Sequence, residues 1–136
     1  MAPLRGAVKH APVDHLDTSF LIRALVRGSA QDKRLRGWLG AGEPVGMSTI
    51  AWAEFLCGPV EPQHVELVAR IIQQRIPFAE EDAALAAQLF NQSGRRRGSL
   101  ADCMIAATAL RQEARLATEN PSDFRRFEGS GLLLLA

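Results

Sequence analysis

The 136-residue chain lacks several features that would assign it quickly to a class of protein. It has only two cysteines, Cys57 and Cys103, and neither has a partner at metal-ligand spacing, so a reduced cytoplasm fits best. The longest uninterrupted apolar run, residues 132–136, is far shorter than the roughly 20 residues that cross a bilayer. The N-terminus has no apolar signal-peptide core. We therefore expect a soluble, cytoplasmic protein with no membrane contact.

Lysine is also scarce, although the overall charge is balanced. The 16 basic and 15 acidic side chains give a net charge of +1, which argues against bulk electrostatic coating of nucleic acid but permits a local basic patch. The only lysines are Lys9 and Lys33, whereas a receiver-type signalling domain needs a lysine beside its acidic, Mg²⁺-binding edge. The glycines at 40, 42 and 46 do not form a dinucleotide-binding fingerprint, and no serine lies in a nucleophile elbow. These three enzyme and signalling classes are disfavoured.

Short apolar segments alternate with amphipathic ones along most of the chain. Helices are predicted at about 19–27, 31–39, 49–57, 63–75, 80–92 and 99–113, and strands at about 13–17, 45–48, 76–79, 116–118 and 132–135. Such alternation is typical of a parallel sheet covered on both faces. We predict one α/β domain over 13–136, a three-layer α/β/α sandwich with a central parallel sheet. Residues 1–12 are predicted to be an irregular leader with no assigned function.

Two carboxylates lie in unexpectedly apolar surroundings. Asp102 is the only charged residue between Leu100 and Leu110, in a helix that is apolar almost all round. Glu54, in the segment 50–57, is predicted to share a helix face with apolar residues. A buried, ionised carboxylate costs several kcal/mol unless it has a cationic partner, a metal or a shifted pKa, and no inward-facing basic residue is evident nearby.

Three further polar residues follow predicted strands. Asp17 ends the first strand, and Asn120 and Asp123 follow the strand that ends at Thr118. In open parallel sheets, ligands bind beyond the carboxyl ends of the strands. Taken alone, Asp17 could simply cap a helix, and Asp123 could be a solvated turn residue. Three carboxylates that meet at ~5 Å repel one another by roughly 3 kcal/mol per pair, which a divalent cation removes. Oxygen-only ligands favour Mg²⁺ or Mn²⁺, the ions of phosphodiester hydrolysis.

Four segments, in this order and spacing, resemble the PIN-domain nucleases and in particular the VapC-like toxins of bacterial toxin–antitoxin pairs. They are Leu16-Asp17-Thr18-Ser19-Phe20-Leu21-Ile22, Ser48-Thr49-Ile50-Ala51-Trp52-Ala53-Glu54, Ser99-Leu100-Ala101-Asp102 with Ile105-Ala106-Ala107, and Leu116-Ala117-Thr118-Glu119-Asn120-Pro121-Ser122-Asp123-Phe124. The resemblance implies a Rossmann-like PIN fold, Mg²⁺-dependent or Mn²⁺-dependent cleavage of RNA, a homodimer and inhibition by a cognate antitoxin.

The resemblance also implies roles for individual residues. Asp17, Glu54 and Asp102 match the three principal acids of the family, while Asn120 stands where members often carry a fourth. We hypothesise that Asp17 and Asp102 bind the metal and that Glu54 orients or deprotonates a metal-activated water. Asn120 or Asp123 then closes the site. The expected products carry a 5′-phosphate and a 3′-hydroxyl.

Arginines at 95, 96 and 97 lie just before the Asp102 helix. In an arbitrary protein such a run is usually a solvated loop, but beside a phosphodiesterase site it favours RNA phosphate binding. Arg125 and Arg126 are weaker candidates for the same role. Two alternatives to a toxin stay open, namely a PIN nuclease in RNA processing and a non-catalytic RNA-binding relative.

Overall fold

The computed structural model describes residues 13–135, so the predicted leader at 1–12 lies outside the described residues. The strands are β1 (Asp14–Leu16), β2 (Val45–Ser48), β3 (Gln74–Ile76), β4 (Arg115–Ala117) and β5 (Leu133–Leu134). The helices are α1 (Thr18–Ala24), α2 (Ala30–Gly40), α3 (Thr49–Cys57), α4 (Pro62–Ile71), α5 (Glu80–Gln92), α6 (Leu100–Arg111) and α7 (Pro121–Phe124). A 3₁₀ helix, Arg125–Ser130, follows α7 directly.

The five strands form one parallel sheet in the order β3-β2-β1-β4-β5, as the predicted α/β sandwich requires. In the register, His15 of β1 lies opposite Gly46 of β2 on one side and Leu116 of β4 on the other. Among the helices, α1 packs against α2 and α3, and α5 packs against α6. The strand order reverses between β1 and β4, which opens a crevice at their carboxyl ends.

The core lies on both faces of this sheet. Its large side chains include Phe20 from α1, Met47 from β2, Phe55 from α3 and Leu116 from β4, all 0% exposed. The almost entirely apolar sequence of α6 is explained by its position, because Cys103 and residues 105–109 are all buried. This confirms the prediction of a buried helix with a single acid in its first turn.

Two parts of the predicted layout are wrong. The helix predicted over 63–75 ends at Ile71, and β3 occupies Gln74–Ile76 instead of 76–79. Gly46 explains how β3 lies so close to β2, since a Cβ atom there would come within 2.7 Å of the Gln74 carbonyl oxygen. The second difference is α7 with its 3₁₀ extension, which occupies a stretch where only a turn was predicted.

Within residues 13–135, no helix is both long and apolar enough to span a membrane.

Candidate active site

Asp17 lies in the crevice where the strand order reverses. It directly follows β1, and its amide donates a 2.9 Å hydrogen bond to the carbonyl oxygen of Ala117 at the end of β4. The side chain is buried, with 6% of its surface exposed. Although Asp17 occupies the N-cap position of α1, its carboxylate makes no capping hydrogen bond. The alternative that Asp17 serves only as a helix cap is therefore wrong.

Two hydroxyl groups hold the Asp17 carboxylate, one from the first turn of α1 and one from the residue after β4. Ser19 and Thr118 each place a hydroxyl oxygen 2.8 Å from Oδ2 of Asp17. The Ser19 hydroxyl oxygen accepts the amide of Glu119 at 3.0 Å, and that of Thr118 accepts the amide of Asn120 at the same distance. These contacts join the loop after β1 to the loop after β4. Ser19 and Thr118 were not identified as site residues from the sequence, although both lie in the motifs quoted for the resemblance.

The burial of Glu54 differs from the prediction. It was expected on a face buried among apolar residues, but the residue is exposed, and so is Cys57 on the same face. The buried face of α3 is formed by Ala51 and Phe55 instead. The Thr18 hydroxyl lies 3.2 Å from Oε1 of Glu54. Partial burial of the carboxyl group raises the pKa of Glu54, and the negative charge of Asp17 adds to this rise.

Asp102 completes a group of four carboxylates, together with Asp17, Glu54 and Asp123, that we call the acid cluster. Asp102 is half-buried in the first turn of α6. Burial, followed by repulsion from the other three carboxylates, raises the pKa of Asp102 to about 6. The positive charge of Arg126 opposes this rise. Three carboxylates from other segments of the chain therefore act on Asp102.

Both candidates for the residue that closes the metal site lie at the start of α7. Asp123 lies in the first turn of α7, and its charge is among those that act on Asp102. Asn120 is the exposed N-cap residue of the same helix, and its side chain makes no capping hydrogen bond. The solvated-turn alternative for Asp123 is therefore incomplete, because the charge of this half-exposed acid helps to raise the pKa of Asp102.

Arg126 is a cationic neighbour that the sequence reasoning missed as a partner for Asp102. Its guanidinium lies 4.6 Å from the centroid of the Phe127 ring. All three guanidinium nitrogens are enclosed and make no hydrogen bond within the described chain. The group is also close enough to Cys103 to lower the pKa of that thiol, against the larger effect of burial, which raises it. No periodic pattern marks Arg126, because it lies in the 3₁₀ helix.

The predicted basic loop divides into residues with different surroundings. Arg96 reaches the acid cluster, where its Nη2 lies 3.8 Å from Oδ1 of Asp123. Arg95 turns back to α5, where its guanidinium lies over the Phe90 ring and contacts the Asn91 side chain. Arg97 is exposed. Of the three arginines, Arg96 is thus the one that contacts a cluster residue directly.

The donor set has the chemistry of a site for a hard divalent cation. Carboxylate oxygens dominate it, and a cation would relieve the repulsion that raises the pKa of Asp102. Within residues 13–135, no three histidine, cysteine, aspartate or glutamate side chains are already gathered at metal-ligand spacing. The residues therefore fit such an ion by charge and ligand type.

Comparison with known proteins identifies the family of this chain and several structures with a similar fold. The family model described as "PIN domain" matches residues 15–129. The fold is similar to VapBC2 from Rickettsia felis, with a TM-score of 0.70 and 19% identity over 90% of this chain and 97% of that one. It is also similar to VapBC-1 from nontypeable Haemophilus influenzae, with a TM-score of 0.67 and 23% identity over 90% and 96%. The fold is similar, too, to FitAcB from Neisseria gonorrhoeae, with a TM-score of 0.64 and 22% identity over 91% of this chain and 96% of that one. No curated protein sequence matches the chain.

Proposed function

The chain belongs to the PIN domain family, and from that membership we propose that it is a Mg²⁺-dependent endoribonuclease and the toxin of a toxin–antitoxin pair. Mn²⁺ is expected to substitute for Mg²⁺. The observation that supports this proposal is the acid cluster, in which the charges of Asp17, Asp123 and Glu54 act on Asp102 and the charge of Asp17 acts on Glu54. Repelling carboxylates in a crevice are costly to the fold, and they are useful to a protein that binds a cation there.

Each residue of the cluster has a proposed role in hydrolysis. Asp17, Asp102 and Asp123 would hold the cation, with Asn120 able to contribute its amide oxygen. The bound cation activates water and neutralises charge on the phosphate. Glu54 then orients the attacking water and accepts its proton, a role that suits a carboxylate with a raised pKa. Water attacks phosphorus in line, the bond to the 3′-oxygen breaks, and the products carry a 5′-phosphate and a 3′-hydroxyl.

The hydroxyls around Asp17 act through that residue. Ser19 and Thr118 fix the carboxylate by two 2.8 Å contacts to Oδ2, so Oδ1 would be the oxygen available to a cation. They are positioning residues, because the proposed chemistry does not require them to touch the RNA. Thr18 has the corresponding role for Glu54.

RNA phosphates would be held by the basic loop, Arg95, Arg96 and Arg97. Arg96 is best placed, since it lies beside Asp123 at the edge of the acid cluster. Arginine guanidinium groups bind phosphate oxygens through several N–H donors at once, and such contacts position a strand without reading its sequence.

The proposed partner is a cognate antitoxin, and a mainly apolar groove between α1, α2, α3 and α4 suits it. The groove consists of two neighbouring depressions that share Leu25 and His64 as lining residues. Ile22, Val26 and Leu67 line it and are 40–49% exposed, an unusual density of large apolar side chains on a surface. Structures similar to this chain include one described as a toxin-antitoxin complex, from Klebsiella pneumoniae. We propose that an antitoxin segment covers this groove, and we expect the toxin itself to be a homodimer.

Mapping RNA 5′ ends in cells after brief induction tests the proposed activity. The wild-type chain should create new 5′-phosphate ends, whereas the Asp17→Asn variant, expressed at the same level, should create none. New ends in both strains, or in neither, would contradict the proposal.

Val26→Glu is a matched test of the partner. It should prevent inhibition by the product of a neighbouring antitoxin reading frame while leaving cleavage unchanged. The absence of such a reading frame would favour a role in RNA processing.

A further inference from the structure

A polar pocket opens directly beside the acid cluster and has no part in the proposed hydrolysis. It has a volume of about 560 Å³, and we call it the side pocket. Its apolar floor includes Leu134 and Leu135 at the end of β5. Its charged lining residues are Arg34, Glu119, Arg125 and Glu128.

One residue, Thr118, belongs both to the lining of the side pocket and to the surroundings of the acid cluster. Thr118 lines the pocket and also contacts Oδ2 of Asp17 at 2.8 Å. The next residue, Glu119, lines the pocket as well, and its amide is fixed by the Ser19 hydroxyl. An RNA strand with its cleaved phosphate at Asp17 therefore has a neighbouring nucleotide within reach of this pocket.

Arg34 has a defined position in the wall of the pocket. Its guanidinium carbon lies 5.4 Å from the centroid of the Phe20 ring and 5.2 Å from that of Trp38. The two rings are themselves stacked, with centroids 5.5 Å apart. Cation–π contacts with two rings restrict the guanidinium, which reduces the conformational entropy that this side chain loses when a ligand binds to it.

The charges of the pocket match a nucleotide better than a small anion or a cation. Arg34 and Arg125 can contact phosphate, and the leucine floor can contact the flat face of a base. Glu119 and Glu128 are exposed carboxylates, which only accept hydrogen bonds when ionised. Guanine is the RNA base that presents two neighbouring N–H donors, N1–H and the N2 amino group, on its Watson–Crick edge.

We propose that the side pocket binds one nucleotide adjacent to the cleaved bond and selects guanine through Glu119 and Glu128. This inference rests on the proposed ribonuclease function and adds a sequence preference to it. A good bidentate contact discriminates against a wrong base by about tenfold or more. Arg34 and Arg125 add affinity that does not depend on the base.

Two measurements test the pocket separately from the chemistry. In the first, the full chain with Mg²⁺ cleaves a random RNA library and the cut ends are sequenced. Guanine should be enriched at one fixed position beside the cut. The double variant Glu119→Gln/Glu128→Gln should lose this enrichment. The matched control, Glu66→Gln/Glu80→Gln, alters two exposed helix glutamates outside the pocket and should keep the enrichment.

The second measurement is fluorescence anisotropy in EDTA with a labelled six-nucleotide RNA that contains one guanine. Replacement of that guanine by inosine removes only the N2 amino donor and should weaken binding about tenfold to the wild type. Binding to the double glutamine variant should be the same for both RNAs. Arg125→Gln should weaken binding to both RNAs equally.

The outcomes separate the two proposals. Failure of the wild type to cut any RNA would refute the proposed function, and the anisotropy measurement would still test the pocket. Cleavage without guanine enrichment, enrichment that survives in the double glutamine variant, or equal binding of guanine and inosine RNAs by the wild type would each overturn the pocket inference alone.

Discussion

The Thr118 hydroxyl donates a 2.8 Å hydrogen bond to Oδ2 of Asp17, across 101 positions of the chain. Asp17 follows β1 and Thr118 follows β4, so the bond crosses the crevice at which the strand order reverses. It fixes one oxygen of a carboxylate that is proposed to hold the cation. The hydroxyl is as much a part of the site as the acid it holds.

Replacement of this hydroxyl gives the first prediction. Thr118→Val keeps the shape of the side chain but removes the donor, and a hydrogen bond to a charged group contributes about 1.5–3 kcal/mol. We expect RNA cleavage to fall by about tenfold or more, with weaker Mn²⁺ binding. Thr118→Ser keeps a hydroxyl and should retain most of the activity. Equal rates for the valine and wild-type proteins in a gel-based cleavage assay would show that the bond has no positioning role.

The raised pKa of Asp102 predicts a pH-dependent stability in the absence of metal. A carboxyl group whose folded-state pKa lies above its unfolded value destabilises the fold when ionised, so this penalty appears as pH rises from about 4 to about 6. Asp102→Asn removes the charge without changing the shape. In EDTA at pH 7.5 the variant should melt at a higher temperature than the wild type, and the difference should shrink at pH 5. A constant difference would mean that the pKa of Asp102 is not raised in the folded chain.

The same substitution should abolish RNA cleavage, because the proposed mechanism uses Asp102 to hold the cation. Circular dichroism would show that the variant is folded. Wild-type cleavage by a folded Asp102→Asn protein, or full activity of the wild type in excess EDTA, would rule out the mechanism.

Arg126 predicts a change in metal affinity. Its enclosed guanidinium opposes the charge of the acid cluster, so Arg126→Met should bind Mn²⁺ several-fold more tightly than the wild type. The variant should also be at least as stable to heat, because it removes a buried cation without hydrogen bonds. Arg126→Lys keeps the charge and serves as the control. Weaker Mn²⁺ binding by the methionine variant would show that Arg126 supports the site in another way.

Neutralising the basic loop should weaken RNA binding and reduce its dependence on salt. Each phosphate contact contributes a slope of about −0.7 to a plot of log affinity against log salt for single strands. Arg96→Gln should have a larger effect than Arg95→Gln, since Arg96 lies at the acid cluster and Arg95 at α5. Arg70→Gln, on the exposed surface of α4, is the matched control. Equal slopes for all of these variants would remove the loop from the RNA site.

The sequence was sufficient to place the acids that follow strands. Asp17 could be assigned to the sheet edge because a short predicted strand ends there, and parallel strands bring their carboxyl ends to one edge. Asp102 could be located because its helix is apolar all round, which only a buried helix tolerates. Both features depend on local patterns and on the general rules of parallel sheets.

The features that the sequence did not predict depend on contacts between distant segments. The exposure of Glu54 was missed because Ile50 and Cys57 suggested a buried face, whereas α3 packs through Ala51 and Phe55. No local sequence pattern predicts that Arg126 lies near Asp102 or that the Ser19 and Thr118 hydroxyls bond to Asp17. Each of these contacts forms only when distant segments of the chain come together. Contacts of this kind become visible only when the strand order is known.

The central claim is that the acid cluster binds a divalent cation, and calorimetric titration with Mn²⁺ tests it most directly. The wild-type chain, freed of metal with EDTA and dialysed, should bind Mn²⁺ with measurable heat. Asp17→Asn and Asp102→Asn should each lose that binding while keeping the wild-type circular dichroism spectrum, and Glu66→Gln should bind like the wild type. Unchanged Mn²⁺ binding by both aspartate variants, or no binding by the wild type, would contradict the account.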